Sequence, residues 1–184
     1  MLKLAILVFL ALPVPAVTLQ LSPFGGAING LPGDTVGWGF TLTNDSPNWL
    51  TVTSSALTFE TNPLLGVYSD LIGLQGGPVP FFALTPFSNW SQTFDGISEG
   101  AGAYAISAGA TLFAQNTGDL LVNFDFFDND PLTVGVQIAS ASVAADFTVN
   151  VSPPATVPEP STLGLMLLGA GAVWSRLCRR RERR

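Results

Sequence analysis

Residues 35–43 read TVGWGFTLT, a run in which each even position carries a large apolar side chain and each odd position carries Thr or Gly. Successive side chains of a β-strand point to opposite faces. The run therefore predicts a strand that buries Val36, Trp38, Phe40 and Leu42 on one face. Because the surrounding residues are rich in Thr, Ser, Val and Phe, the whole central part of the chain favours strands over helices.

Further strands are predicted where short apolar alternations are bounded by turn residues. They cover residues 17–21, 50–59, 90–94, 104–106, 120–127, 132–138 and 143–151. The apolar positions change parity near Ser54 and again between Ile138 and Phe147. A change of parity requires a slip or bulge, which we expect near Ser54 and within residues 139–145. The irregular residues 64–87 are interpreted as a long loop or a short strand pair that crosses between sheets.

About eight or nine short strands with such punctuation are typical of an antiparallel β-sandwich. We therefore predict an all-β fold, with the sandwich domain spanning residues 17–152. The two ends of the chain have a different composition and are predicted to be segments for export and sorting.

The basic residues are confined to those two ends. Lys3 lies near the start, and the other six of the seven are Arg176, Arg179, Arg180, Arg181, Arg183 and Arg184. The chain has no His and one cysteine, Cys178. Phosphate contacts rely on Lys and Arg, so the central domain is not expected to bind nucleic acid. A lysine nucleophile, a histidine base, a His-ligated metal and a disulfide scaffold are excluded as well.

The first 16 residues have the pattern of a secretory signal peptide. Lys3 precedes the apolar run 4–12, and the small residues Val14 and Ala16 suit the positions before a cleavage site. The predicted cut between Ala16 and Val17 makes Val17 the mature start. A buried N-terminal strand is the alternative, and the proline-rich exit from the run argues against it.

Residues 153–160 form a proline-rich spacer, which is expected to be stiff and extended. Residues 161–184 combine an apolar run over 163–174, predicted to form a short transmembrane helix, with the arginine cluster. The run is shorter than the roughly 18 residues of an ordinary membrane-spanning helix. The arginines predict a cytoplasmic tail, with the domain outside the inner membrane. A permanent single-pass anchor is the alternative, which the short run disfavours.

The start of this tail carries a family resemblance. The residues concerned are Val157, Pro158, Glu159, Pro160, Ser161 and Thr162. Together with the apolar run and the arginine cluster, they resemble the PEP-CTERM sorting signal of Gram-negative bacteria. The resemblance implies recognition by an exosortase, cleavage near the triplet, and release or re-attachment in the cell envelope or outside the cell. It also implies an association with exopolysaccharide production.

Candidate chemistry in the domain rests on carboxylates. Of the 13 acidic residues, eleven lie between Val17 and Val157, and the densest cluster contains Asp125, Asp128 and Asp130. Oxygen ligands in such a cluster suit Ca²⁺, while a turn capped by Asp side chains is the simpler interpretation. No spacing pairs Glu60 with Glu99 for glycoside hydrolysis. We expect no enzymatic activity and no cofactor.

Aromatic side chains provide the remaining candidates for binding. Trp38, Trp90 and Phe94 are expected in the core. Trp49, Tyr68 and the pair Phe81 and Phe82 are the candidates for exposed platforms. The sequence thus predicts an exported, non-enzymatic surface or matrix protein, with a carbohydrate-binding module for exopolysaccharide as the alternative.

Overall fold

The structure is a computed structural model that describes residues 17–74 and 83–153 of the 184-residue chain. The predicted signal peptide, the sorting motif and the basic tail lie outside these residues. Within the described ranges there are ten strands and a single helical turn. In chain order they are β1 (Val17–Ser22), β2 (Ala27–Gly30), β3 (Thr35–Asn44), β4 (Trp49–Thr58), β5 (Gly66–Asp70), α1 (Leu71–Leu74), β6 (Ala83–Leu84), β7 (Ser88–Gln92), β8 (Gly102–Ile106), β9 (Gln115–Phe127) and β10 (Gln137–Val151).

The strands form two sheets of five. In the first sheet the order is β1-β3-β8-β5, and β7 pairs with the C-terminal half of β3. In the second sheet the order is β2-β10-β9-β4-β6. Buried apolar side chains from both sheets belong to one hydrophobic cluster. The prediction of an all-β domain is confirmed, and two sheets around a shared core are consistent with the expected sandwich.

Strand β3, predicted over residues 35–43, extends one residue further to Asn44 and contributes the centre of the core, although Val36 is only half-buried. Trp38 and Leu42 are completely buried and Phe40 is almost so. The Trp38 indole N–H donates a hydrogen bond to the Gly26 carbonyl at 2.7 Å. Its ring meets the edge of Phe147, from the second sheet, with 5.5 Å between centroids. Trp38 therefore links the two sheets, and its polar atom has a partner, as a buried Trp requires.

The slip predicted near Ser54 is confirmed. The register between β4 and β9 shifts between Val52 and Ser54. The extra residue reverses the faces of the strand beyond it, which accounts for the change of parity in the sequence.

One pairing departs from the expected antiparallel sheet. Strand β2 runs parallel to β10, with Thr148–Val151 opposite Ala27–Gly30, whereas the other seven pairings are antiparallel. No hairpin joins β2 to β10, so the connection imposes no antiparallel direction on them. The short segment 27–30 carries little alternation, and no strand was predicted there.

The strand predicted at residues 132–138 is wrong over 132–136, and residues 137 and 138 instead begin β10. Residues 131–134 form a turn, and Leu132, Val134 and Val136 are exposed. The apolar alternation is real, but hydrogen bonds of Asp128 and Asp130 to the loop backbone hold it as a turn. The second bulge also differs in position, because the register shift lies between Gln137 and Ala139 rather than within residues 139–145.

The prediction that residues 64–87 cross from one sheet to the other is confirmed. Strand β5 belongs to the first sheet and β6 to the second, so the chain passes from one sheet to the other between them. Residues 75–82, including Phe81 and Phe82, lie outside the described part.

Candidate functional site

The described domain ends where the proline-rich spacer begins. Val151 is buried, and its N–H donates to the Ala114 carbonyl at 2.9 Å while its own carbonyl accepts from the Phe113 N–H at 2.8 Å. The Ser152 N–H then donates to the Gly30 carbonyl at 2.8 Å. Backbone bonds on both sides therefore fix the chain up to the residue before Pro153.

The predicted mature start lies at the other end of the domain. Val17 is the first residue of β1 and pairs with Asn44, at the C-terminal end of β3. Gly30, which holds Ser152, is joined by a short turn to Thr35 at the N-terminal end of β3. The length of β3 therefore separates the two ends by roughly 30 Å, at about 3.3 Å per residue. The sorting-motif residues 157–162 and the basic cluster lie beyond the described range.

The calcium candidates lie around the loop between β9 and β10. Asp128 Oδ1 accepts the Val136 N–H at 2.8 Å, and Asp130 Oδ1 accepts the Leu132 N–H at 2.9 Å. Asp125 Oδ1 accepts the Ser140 hydroxyl at 2.6 Å, on the paired strand. Each carboxylate thus has its own local donor, as in turns capped by Asp. Across residues 17–74 and 83–153, no three or more Asp, Glu, His or Cys side chains gather closely enough to hold a metal ion.

A buried polar network that the sequence did not reveal links β4 with β5. The Ser55 Oγ atom lies 2.6 Å from Asp70 Oδ1 and 2.6 Å from the Ala101 carbonyl, and it accepts the Tyr68 hydroxyl at 2.7 Å. The N–H groups of Ile72 and Gly73 also donate to Asp70 Oδ1, so the carboxylate caps α1. Tyr68 was a candidate for an exposed platform, but its hydroxyl belongs to this network.

The buried surroundings of this network set the protonation state of the Tyr68 hydroxyl. Burial raises the pKa of Tyr68 well above its usual value, and the neighbouring Asp70 adds to the rise. A phenol with a raised pKa stays protonated near neutrality and acts as a hydrogen-bond donor. The arrangement is therefore suited to joining the two sheets rather than to proton transfer.

A second buried network surrounds Asn116 at the start of β9. Its Nδ2 donates to Glu60 Oε2 at 2.6 Å and to the Tyr104 hydroxyl at 3.1 Å, and its Oδ1 accepts the Asn62 N–H at 2.9 Å. Asn116 and Tyr104 are completely buried. Burial raises the pKa of Tyr104. Glu60 is thus bound to an amide, and nothing in this network pairs it with Glu99.

Of the remaining aromatic candidates, one borders the core and two are half-buried. Trp90 packs its edge against Phe40 at 4.6 Å between centroids and borders the core, as predicted. Trp49 is half-buried. Phe94, which was expected in the core, is also half-buried and lines an open groove of about 310 Å³ together with Pro23 and Ile28. Asn29 and Thr35 add polar groups to the same groove.

Across residues 17–74 and 83–153, no helix has both the length and the apolar character needed to cross a membrane.

Comparison with known families identifies the tail. Residues 156–184 match the PEP-CTERM protein-sorting motif. The match confirms the resemblance deduced from residues 157–162 and the tail beyond them. The motif implies an exported protein whose membrane-anchored precursor is processed by an exosortase.

Comparison with solved structures concerns the domain. The chain resembles the structure of the Vibrio cholerae VesB protease at 16% identity, with 73% of this chain and 32% of that chain covered and a TM-score of 0.39. It thus spans about a third of that protein. It also resembles the ASH/PapD-like domain 7 of human CEP192 at 9% identity, covering 82% of this chain and 96% of that chain, with a TM-score of 0.40. Both TM-scores are below 0.5, so neither likeness assigns a function to the domain. No curated protein matches the sequence.

Proposed function

We propose that the chain is an exported, non-enzymatic protein of the cell surface or extracellular matrix, delivered there by its PEP-CTERM tail. One observation carries the proposal: the sorting motif at residues 156–184 begins a few residues after Ser152, which is the last of the described residues that a backbone hydrogen bond ties to the domain. A stretch of up to eight residues then reaches Pro160, the last residue of the triplet, and extended chain spans about 3.1 Å per residue. The proline-rich composition of this spacer predicts a stiff, extended segment, which suits the approach of a protease cleft to the triplet.

The signal peptide at residues 1–16 and the short apolar helix at 163–174 are part of this proposal. Lys3 and the terminal arginines both favour the cytoplasmic side, so the two segments agree on one orientation. The domain then lies outside the inner membrane until the tail is cut. The cleaved tail takes with it the six arginines and Cys178.

A non-enzymatic role is supported by how the domain uses its polar groups. Asp70 caps α1, Asp128 closes the β9–β10 loop, and Glu60 holds the Asn116 amide. These carboxylates stabilise turns and join strands. The composition adds to this, since residues 17–157 contain no Lys, Arg or His to act as a base or to bind an anion.

The proposal is tested by changing the triplet in the full chain. Replacing Pro158, Glu159 and Pro160 by Ala should leave the protein in the membrane fraction at its precursor size. Replacing Pro153 and Pro154 by Ala is the matched control, because it alters the same spacer outside the triplet. The control should be processed like the wild type. Normal processing of the triplet variant would show that the tail does not act as a sorting signal.

Carbohydrate binding is the second candidate, and the groove at Phe94 favours it. A half-exposed ring next to an amide and a hydroxyl is suited to stacking and hydrogen bonding with a sugar. Phe94→Ala should then reduce retention on the host's exopolysaccharide. Phe113→Ala, which removes an exposed ring elsewhere, serves as the control. Equal retention of both variants and the wild type would exclude this groove as a binding site.

A further inference from the structure

Most of strand β10 has a partner strand on one side alone. Its residues from Gln137 to Asn150 pair with β9, but β2 covers the opposite side at Thr148–Val151 and no further. Among the described residues, no strand pairs with that opposite side between Gln137 and Phe147. We call residues 137–147 the open edge.

The direction of the free backbone groups follows from the alternation of the strand. The N–H groups of Thr148 and Ser152 donate toward β2, to Gly26 and Gly30. The register with β9 is regular from Ala139 onward. In a regular strand, the backbone N–H and C=O groups of every second residue point to the same side. The N–H and C=O groups of Ser140, Ser142 and Ala144 therefore point out of the open edge.

Between Ala139 and Ala145 the open edge lacks the features that usually prevent strands from pairing. Protective edges carry Lys, Pro, bulges or inward charges, or they are very short. Residues 139–145 contain no charged residue and no Pro; the bulge between Gln137 and Ala139 precedes them, and Asp146, the one charged residue of the open edge, follows them. The side chains at residues 137–142 are all exposed on both faces of the strand, and Ile138 is 51% exposed. The composition and the exposure of this edge therefore favour the addition of another strand.

We propose that the open edge pairs, antiparallel, with the open edge of a second copy of this chain. An antiparallel pair of identical strands is symmetric, so both edges offer donors and acceptors in matching positions. With Ser142 opposite Ser142 of the second copy, Ser140 lies opposite Ala144. This register forms about six backbone hydrogen bonds and joins the two second sheets into one.

The placement of the charges supports a second copy as the occupant. The domain has eleven acidic residues and no basic residue, so two copies repel each other over most of their surfaces. The open edge carries one of these acids, Asp146, which in this register lies opposite Ile138 of the second copy, about 27 Å along the strands from the other Asp146. Asp125, the nearest acid on the neighbouring strand, lies beside Ser140 on β9. In the pair, three strand spacings of about 4.8 Å separate it from its counterpart, beyond the screening length of about 8 Å.

Disulfide trapping tests the pairing in the full chain, with Cys178→Ser removing the natural thiol. Opposed residues of a hydrogen-bonded pair have Cα atoms about 5.5 Å apart, within the range that a disulfide bridges. Ser142→Cys should form a linked dimer under mild oxidation. A mixture of Ser140→Cys and Ala144→Cys chains should form the mixed dimer. Thr148→Cys is the matched control, since it faces the same way on the same strand but lies behind β2.

Two further variants test whether the edge itself drives association. Ser142→Pro removes an outward N–H that β9 does not use, and Pro is tolerated on edges. Ser142→Lys adds a positive charge to the acidic domain and so makes its net charge less negative. A loss of dimer in this variant therefore cannot come from increased overall repulsion between the two copies. Sedimentation in mild detergent should show that each variant loses the dimer. Failure of Ser142→Cys to cross-link, equal cross-linking of Thr148→Cys, or an intact dimer in both variants would overturn the proposal.

Discussion

The Tyr68 hydroxyl donates a hydrogen bond to the Ser55 Oγ atom at 2.7 Å. Tyr68 lies on β5, the edge strand of the first sheet, and Ser55 lies on β4 in the interior of the second. The bond therefore crosses from one sheet to the other inside the core. Gly102 makes room for it, since a Cβ at that position would clash with the phenol.

Ser55→Ala should destabilise the domain by about 1–3 kcal/mol, because it leaves the Tyr68 hydroxyl and the Asp70 carboxylate without this partner in a buried site. Urea denaturation measures the change. Ser91→Ala is the matched control: it removes an exposed hydroxyl that bonds to Thr41, and it should change the stability by less than about 0.5 kcal/mol. Equal effects of the two variants would contradict the structural role of the network.

We expect the loop at residues 95–99 to make the stability of the domain depend on pH. Backbone N–H groups of Glu99, Ile97 and Ser98 donate to its carboxylate and lower its pKa to about 2. An unfolded Asp has a pKa of about 3.9. The stabilisation is therefore complete above about pH 4 and is lost as the pH falls through 2.

Asp95→Asn should accordingly lower the melting temperature at pH 5 and have little effect near pH 2. Glu99→Gln removes a charge from the same loop without changing these donors, so it controls for general charge effects. If the difference between Asp95→Asn and the wild type stays constant from pH 5 to 2, the interpretation of the loop is wrong.

The sequence predicted best where alternation coincided with burial. Residues 35–43 and the slip after Val52 were both correct, because in each case the apolar parity marks the side that faces the core. At Leu132, Val134 and Val136 the same pattern lies on an exposed turn, since local Asp side chains outweigh a weak preference for strand. Strand β2 was missed because its pairing with β10 joins segments far apart in sequence. The Ser55 and Asn116 networks depend on such distant contacts too, and single polar residues give no periodic signal.

The loop that carries Asp128 should respond to calcium no differently from sodium. Asp128 Oδ1 accepts a backbone N–H, and Asn at this position keeps an acceptor, so Asp128→Asn should be within about 0.5 kcal/mol of neutral. Melting curves with millimolar calcium and with sodium of the same ionic strength provide the comparison. A shift specific to calcium that Asp128→Asn abolishes would instead establish the site at Asp125, Asp128 and Asp130.

The arginine cluster predicts the orientation of the precursor. A reporter fused after Arg184 should be active in the cytoplasm of cells that lack the sorting enzyme, because six arginines favour that side. A reporter fused after Pro153 should be active outside the inner membrane. Cytoplasmic activity of the second fusion would contradict the proposed export of the domain.

The intact mass of the mature protein tests the central claim most directly. Export and sorting through the tail predict a chain that starts at or near Val17 and ends near Pro158–Pro160, without the apolar run and without any arginine. A mature protein that retains Arg184 would contradict sorting through the PEP-CTERM tail and would indicate a permanent membrane anchor.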